Sequence, residues 1–168
     1  ELPSDRPRPT VQSFNGAAYH QLLPHGLYAG VKTFAASENC TPYMVVLSAF
    51  YAFLNRYTGQ NDIIVGSPVA GRTIDGSEEL IGFFANTLAM RVQFSGNTSF
   101  RALLERVRNV TLDTQSHQDL PFERIVEEIQ PGRDLAHSPV FQVAFALQNI
   151  KWPSVNLRDV QFDPQPIE

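Results

Sequence analysis

Residues 41–57 restrict most what this chain can become. Thr41-Pro42 reads as an N-cap with proline at the first helical position. Behind it, Met44, Val45, Leu47, Phe50, Tyr51, Phe53 and Leu54 carry apolar side chains nearly all round a helix running to about Tyr57. Such a helix is expected to be buried on most faces. Thr58-Gly59 ends it, and Asp62-Ile-Ile-Val-Gly66 reads as a short buried strand, followed by a polar, glycine-containing loop from Ser67 to about Glu79. Beyond it Leu88, Met90, Val92 and Phe94 alternate with Thr87, Ala89, Arg91 and Gln93, the signature of a strand with one buried face.

The remaining pattern is helical and then extended. A moderately amphipathic helix is expected near 24–38. Phe100, Leu103, Leu104, Val107 and Val110 recur at helical spacing, with Arg101, Glu105, Arg106 and Arg108 opposite. A further helix from about Pro121 is expected to bury Phe122, Ile125, Val126 and Ile129. Phe141, Val143, Phe145 and Leu147 alternate again as a strand. Strands separated by long helices imply an α/β fold, a mixed sheet with helices packed on it. At 168 residues and 43% hydrophobic, the chain can enclose one sizeable core. Residues 1–12 carry three prolines among charges and read as an extended linker, 13–149 as the folded lobe, and 150–168 as a weakly patterned, proline-spaced tail.

Composition excludes several classes of function. A formal net charge of −4 argues against nucleic acid or an anionic membrane as the main partner. No apolar run approaches the roughly 20 residues that span a bilayer. Cys40 is the lone cysteine, and the N-terminal residues lack the apolar core of a signal peptide, which together point to the cytoplasm. His20, His25 and His137 have no Cys, Asp or Glu at metal-ligand spacing, so no metal site is expected. Cys40 lies just before a helix cap, with no activating base nearby in sequence, and is expected to be inert.

Three segments carry more information than a generic core requires. Gly66-Ser-Pro-Val-Ala-Gly-Arg-Thr73 nearly spells a phosphate-binding loop, but arginine replaces the lysine and Pro68 removes one backbone donor. Ile81-Gly-Phe-Phe-Ala-Asn-Thr-Leu-Ala-Met-Arg91 places Asn86 on the parity of Leu88 and Met90. Buried unsatisfied, that amide would cost about 1–3 kcal/mol, so it either ties down a loop or lines a cavity. Arg91 falls on the opposite parity and reads as a structural ion-pair member. In His117-Gln-Asp-Leu-Pro-Phe-Glu-Arg, His117 suits a helix C-terminus, and Asp119 can cap the next helix with Pro121 in its first turn. Arg133-Asp134 reads as a loop organiser before Ser138-Pro-Val-Phe-Gln142.

In this order, these segments resemble signature motifs of the condensation domains of nonribosomal peptide synthetases, with Ala85 where valine is usual. The resemblance runs from about Leu2 to Asn149 and covers the family's C-terminal lobe. It implies one lobe of a chloramphenicol acetyltransferase-like, two-lobed fold, with Leu2-Pro-Ser-Asp-Arg-Pro7 as the interlobe linker. A chain starting there is expected to be a fragment cut at the lobe boundary, with a tail that begins the crossover to the other lobe. It further implies that Ser67, Pro68, Arg72, Phe84, Asn86 and Thr87 belong to the substrate tunnel and its floor loop. Arg91, His117, Gln118, Asp119, Pro121, Arg133 and Asp134 would be structural motif positions.

The family's catalytic His-His-x-x-x-Asp-Gly appears nowhere in the sequence, so no catalytic residue is assigned and the chain alone is expected to be inactive. The implied function is amide synthesis between aminoacyl or peptidyl thioesters. No cofactor is expected on the chain itself, because substrates arrive as phosphopantetheine thioesters. The implied partners are the N-terminal lobe and the donor and acceptor peptidyl carrier domains. A non-catalytic docking lobe, or a lobe of an epimerising relative, is the alternative. A lobe built to face a partner is expected to expose apolar surface and to self-associate when isolated.

Overall fold

A computed structural model describes residues 2–24, 26–129, 132 and 136–148. Its elements are helices α1 (Leu27–Ser37) and α2 (Pro42–Thr58), strands β1 (Asp62–Val69) and β2 (Asn86–Gln93), and helices α3 (Phe100–Ser116) and α4 (Phe122–Ile129). Thr41 starts α2 as its sequence suggests: its Oγ1 accepts the Met44 amide at 3.3 Å. Ser99 does the same for α3, accepting the Ala102 amide at 3.3 Å.

β1 and β2 pair antiparallel, with Ile64 opposite Arg91, Gly66 opposite Ala89 and Pro68 opposite Thr87. The period of two puts Ile63, Val65 and Ser67 on one face with Leu88, Met90 and Val92. α2 and α3 close over that face, joining Leu47, Tyr51, Leu54, Leu103 and Val107 to the strand residues in one core. Full burial of each such side chain stabilises the fold by about 1.5–3 kcal/mol. α1 lies outside α2, and Ala35 packs with Met44, Val45 and Leu104. Tyr51 is fully enclosed, and its hydroxyl donates to the Met90 carbonyl at 2.7 Å.

The segment expected as the last strand shows the alternation, with Phe141, Val143, Phe145 and Leu147 half-buried and the residues between them exposed. Among the described residues, however, it joins β1 through one parallel bridge at Gly66 and Ala144. Gly66 N donates to the Val143 carbonyl at 2.9 Å and Phe145 N to the Gly66 carbonyl at 2.8 Å. The next rung would need a donor from residue 68. Pro68 has none, and the Ser67 hydroxyl donates to the Phe145 carbonyl instead, at 2.9 Å. Among the described residues the sheet is thus the antiparallel β1–β2 pair, and the mixed sheet expected from the sequence is reduced to this one parallel bridge.

Several expectations need correction. Ser67 and Pro68 lie in β1, not in a loop, because the β1–β2 ladder runs on to Val69. With Gly66 N bonded to the last segment, residues 66–69 do not form a phosphate-binding loop. α2 is not enclosed all round: Phe53 and Tyr57, each 57% exposed, stack on each other at 5.6 Å along its outer side. No residue of α4 is fully buried: Phe122, Ile125 and Val126 are half-buried and Ile129 is 59% exposed. Within the segment read as linker, Leu2 packs against the main core. Arg133, Asp134, His25 and the tail 150–168 lie outside the described residues. No helix among the described residues is long and apolar enough to cross a membrane.

The turn into the last segment is strained. Val140 has φ 68°, and Phe141 N bonds to the Pro139 carbonyl at 2.8 Å across it. A β-branched residue in that region costs on the order of 1–3 kcal/mol.

Two outcomes follow from the packing. Tyr51→Phe leaves the Met90 carbonyl without that donor in a sealed core, and denaturant unfolding should show a loss of about 1–2 kcal/mol. On the exposed sheet face, Asp62 accepts from Arg91 at 2.8 and 2.5 Å and from Gln93 at 3.0 Å. Hydrogen bonding from Arg91, then from Gln93, holds its carboxyl down from 3.8 to about 2. The sign is that of a lowered acid: the pair's contribution is complete above the ordinary carboxylate range and disappears as pH falls through about 2. NMR titration should place the Asp62 midpoint near 2, and Arg91→Ala should return it towards 3.8.

Candidate functional site

The three motif segments meet. Gly71, Phe83–Thr87, Gln118, Asp119 and Pro121–Glu123 line one cavity of about 310 Å³ at the end of the β1–β2 pair where β2 begins. The loop after β1 reaches it through a tight turn at Gly71, where φ is 63° and a Cβ would run into the Phe84 carbonyl oxygen. Glycine is the residue that meets both demands. Arg72 then folds the loop on itself. Its guanidinium lies 4.3 Å over the Phe84 ring and donates to the Ser77 carbonyl. Thr73 Oγ1 donates to Asp119 at 3.3 Å, tying this loop to the α3–α4 turn.

Asn86 is the centre of the arrangement. Its amide nitrogen donates to the carbonyls of Gln118 and Leu120, both at 2.8 Å. Its carbonyl oxygen accepts the amides of Thr87 at 2.8 Å and Phe122 at 3.1 Å. Two donors and two acceptor positions are the whole capacity of an asparagine side chain, and all four are used. The residue that caps α4 is thus Asn86, reaching across from β2, and not Asp119 as expected. The loop it ties down is the α3–α4 turn, 32 to 36 residues later in sequence.

The other expected residues separate into supports and neighbours. Ser67 is buried in β1, outside the lining of this cavity, and accepts from Tyr43 at 2.7 Å, since its own proton goes to Phe145. Burial pushes the Tyr43 phenol up. Pro68 is exposed next to Ser67. Arg91 is occupied by Asp62, the ion pair its parity implied. His117 is exposed at the end of α3, where Nδ1 donates to the Asp113 carbonyl at 2.9 Å, a helix-end role as expected. Cys40 is half-buried away from the cavity, and burial pushes its thiol up, against thiolate chemistry.

No histidine, cysteine or lysine is among the residues lining the cavity. Its walls supply shape, an aromatic face and hydrogen bonds, so it is equipped to hold and orient a reactant. Neither the Thr73–Asp119 link nor the close approach at Gly71 leaves a mark in the sequence pattern. An asparagine on the inward parity at a strand start is the one hint of the clasp.

Comparison with known proteins places these features in context. A family model described as a condensation domain matches residues 1–167. One of the subunits of the linear gramicidin synthase of Brevibacillus parabrevis is 50% identical over 163 residues, 97% of this chain and 2% of that protein. Phosphinothricin tripeptide synthetase PhsC of Streptomyces viridochromogenes is 45% identical over 89% of this chain and 14% of its own length. The chain therefore spans a small part of these relatives. Among solved structures, holo-AB3403, a four-domain nonribosomal peptide synthetase bound to AMP and glycine, superposes with a TM-score of 0.86 at 28% identity, covering 89% of this chain and 11% of that one. The X-domain from teicoplanin biosynthesis superposes at 0.79 with 28% identity, over 85% of this chain and 32% of that one.

Removing the clasp should be visible locally. Asn86→Ala leaves two carbonyls and two amides without their partner and should lower stability by about 1–3 kcal/mol. Amide exchange should rise first at Thr87 and Phe122, the two donors to Asn86.

Proposed function

The chain belongs to the condensation-domain family, and from that membership we propose that it is the C-terminal lobe of a peptide-bond-forming domain of a nonribosomal peptide synthetase. The observation that carries the reading is a match to peptide synthetases along nearly the whole chain, with the motif segments converging on one cavity. The reaction joins two thioester-borne reactants. The amine of the acceptor attacks the carbonyl of the donor thioester, a C–N bond forms, the C–S bond breaks, the amine gives up a proton and the thiol leaves. In this proposal the proton is handled by the histidine motif of the N-terminal lobe, because His-His-x-x-x-Asp-Gly is absent from this sequence.

The contribution of this lobe is then positional. Holding two tethered reactants in near-attack geometry is worth on the order of 7–11 kcal/mol. The loop from Gly71 to Ala85 forms the tunnel floor, with Arg72, Phe84 and Thr87 towards the reactants. Ser67 and Asn86 act behind them by fixing the last segment and the α3–α4 turn. Phosphopantetheine belongs to the carrier domains, donor and acceptor, and the setting is the cytosol. The apolar surface at Phe83, 93% exposed, and at Leu120 and Ile129 faces the partner lobe. With that surface uncovered, the isolated lobe self-associates.

The test is peptide formation from two loaded carrier domains, followed by mass spectrometry. A complete domain carrying this lobe should yield the amide, and the 168-residue chain alone should yield none. Product from the chain alone, or none from a correctly folded complete domain, would overturn the reading. The second of these outcomes would favour a docking lobe. Light scattering of the isolated chain should show oligomers, and a clean monomer at high concentration would count against the partner-facing surface.

A further inference from the structure

One relay in the lobe lies outside the motif cavity. Leu2 and Leu54, Ile63, Val140, Phe141 and Val143 line the same small cavity of about 170 Å³. Leu2 also packs directly on the main core. Arg8, six residues on, donates from Nη1 to the Ala136 carbonyl at 3.3 Å. The stretch between them is short and stiffened by Pro3 and Pro7, with Ser4 Oγ bonded to the Arg6 carbonyl at 2.8 Å. These contacts bracket the strained turn, which starts after Ala136 and carries Val140 at φ 68°. Gln142 closes the turn by donating to the Ser138 carbonyl at 2.7 Å.

The turn delivers Phe141. Its ring occupies the space beside Gly66 that a Cβ would otherwise fill. It also meets the Phe122 ring at 5.3 Å, at the first residue of α4. α4 has no fully buried residue; Phe122, Ile125 and Val126 are half-buried, and its first residue is held by the Phe141 ring and the Asn86 cap.

We propose that residues 2–8 are a strap that holds the turn at Val140 closed and, through Phe141 and Phe122, sets the position of α4. A β-branched residue is kept at positive φ only where surrounding contacts over-determine it. Leu2 in its socket and Arg8 on Ala136 are such contacts. Displacement of the strap lets Val140 relax, moves Phe141 off Gly66 and frees the start of α4. The strap thereby links the position of residues 2–8 to one wall of the cavity.

Hydrogen exchange with mass spectrometry on the full-length protein tests this without reference to peptide synthesis. Leu2→Ala should raise exchange about tenfold over 122–129 and 141–145, leaving α2 and α3 unchanged. Val140→Gly removes the strain, so adding Leu2→Ala to it should change the same peptides by less than about threefold. Arg8→Ala should show the Leu2→Ala pattern at smaller amplitude. Unchanged exchange over 122–129 in Leu2→Ala would overturn the proposal. So would an equal effect in the Val140→Gly background, or a rise spread evenly through α2 and α3.

Discussion

Two antiparallel strands do not make a stable sheet by themselves, and the structure follows from how the β1–β2 pair is supported. One face is sealed by α2 and α3 around Tyr51, whose hydroxyl reaches the Met90 carbonyl and fixes the helix against the strand. The outer edge of β1 is occupied by the 141–148 segment through rungs at Gly66 and by the Ser67 hydroxyl beyond it. Substituting Ser67 for the missing Pro68 donor is a consequence of one residue's chemistry. It adds one side-chain bond to the last segment beyond the single bridge at Gly66.

The same logic explains why the residues that look most functional are structural in their immediate bonding. Asn86, Ser67, Arg91 and His117 each have polar atoms engaged by the protein. A buried or half-buried polar group without a partner is expensive, and a loop at the end of a two-stranded sheet has many backbone groups to satisfy. One asparagine satisfying four of them does so with little bulk. Asn86 thus lines the cavity with its side chain fully bonded to the protein, and it supports the wall.

The elements legible from sequence were those with a strong period. β2, α2 and α3 begin and end within a residue or two of where alternation, helical spacing and capping residues put them. The length of β1 was hidden by Pro68, which signals a break unless one knows that Thr87 stands opposite it. The role of Asn86 was hidden by distance, since a cap supplied from 36 residues earlier leaves no local signature at Phe122. Asp119 was the reasonable local candidate, and it is engaged by Thr73 instead. The family resemblance brought the right segments together without saying which residue holds them.

The division of labour in the proposed reaction follows from what these bonds leave available. His117 uses Nδ1 on its own helix end and sits in solvent, so it is poorly placed to take a proton at the cavity. A lobe without an imidazole at its cavity still has much to contribute to an aminolysis whose reactants are both tethered, because orientation supplies a large part of the barrier reduction. Orientation demands a wall that does not yield. Asn86, the Arg72–Phe84 contact and the Phe141–Phe122 pair each remove a freedom from one segment of that wall. Rigidity assembled from side chains far apart in sequence is therefore what these bonds give the wall, and in the proposed reaction proton transfer is left to the histidine motif that this sequence lacks.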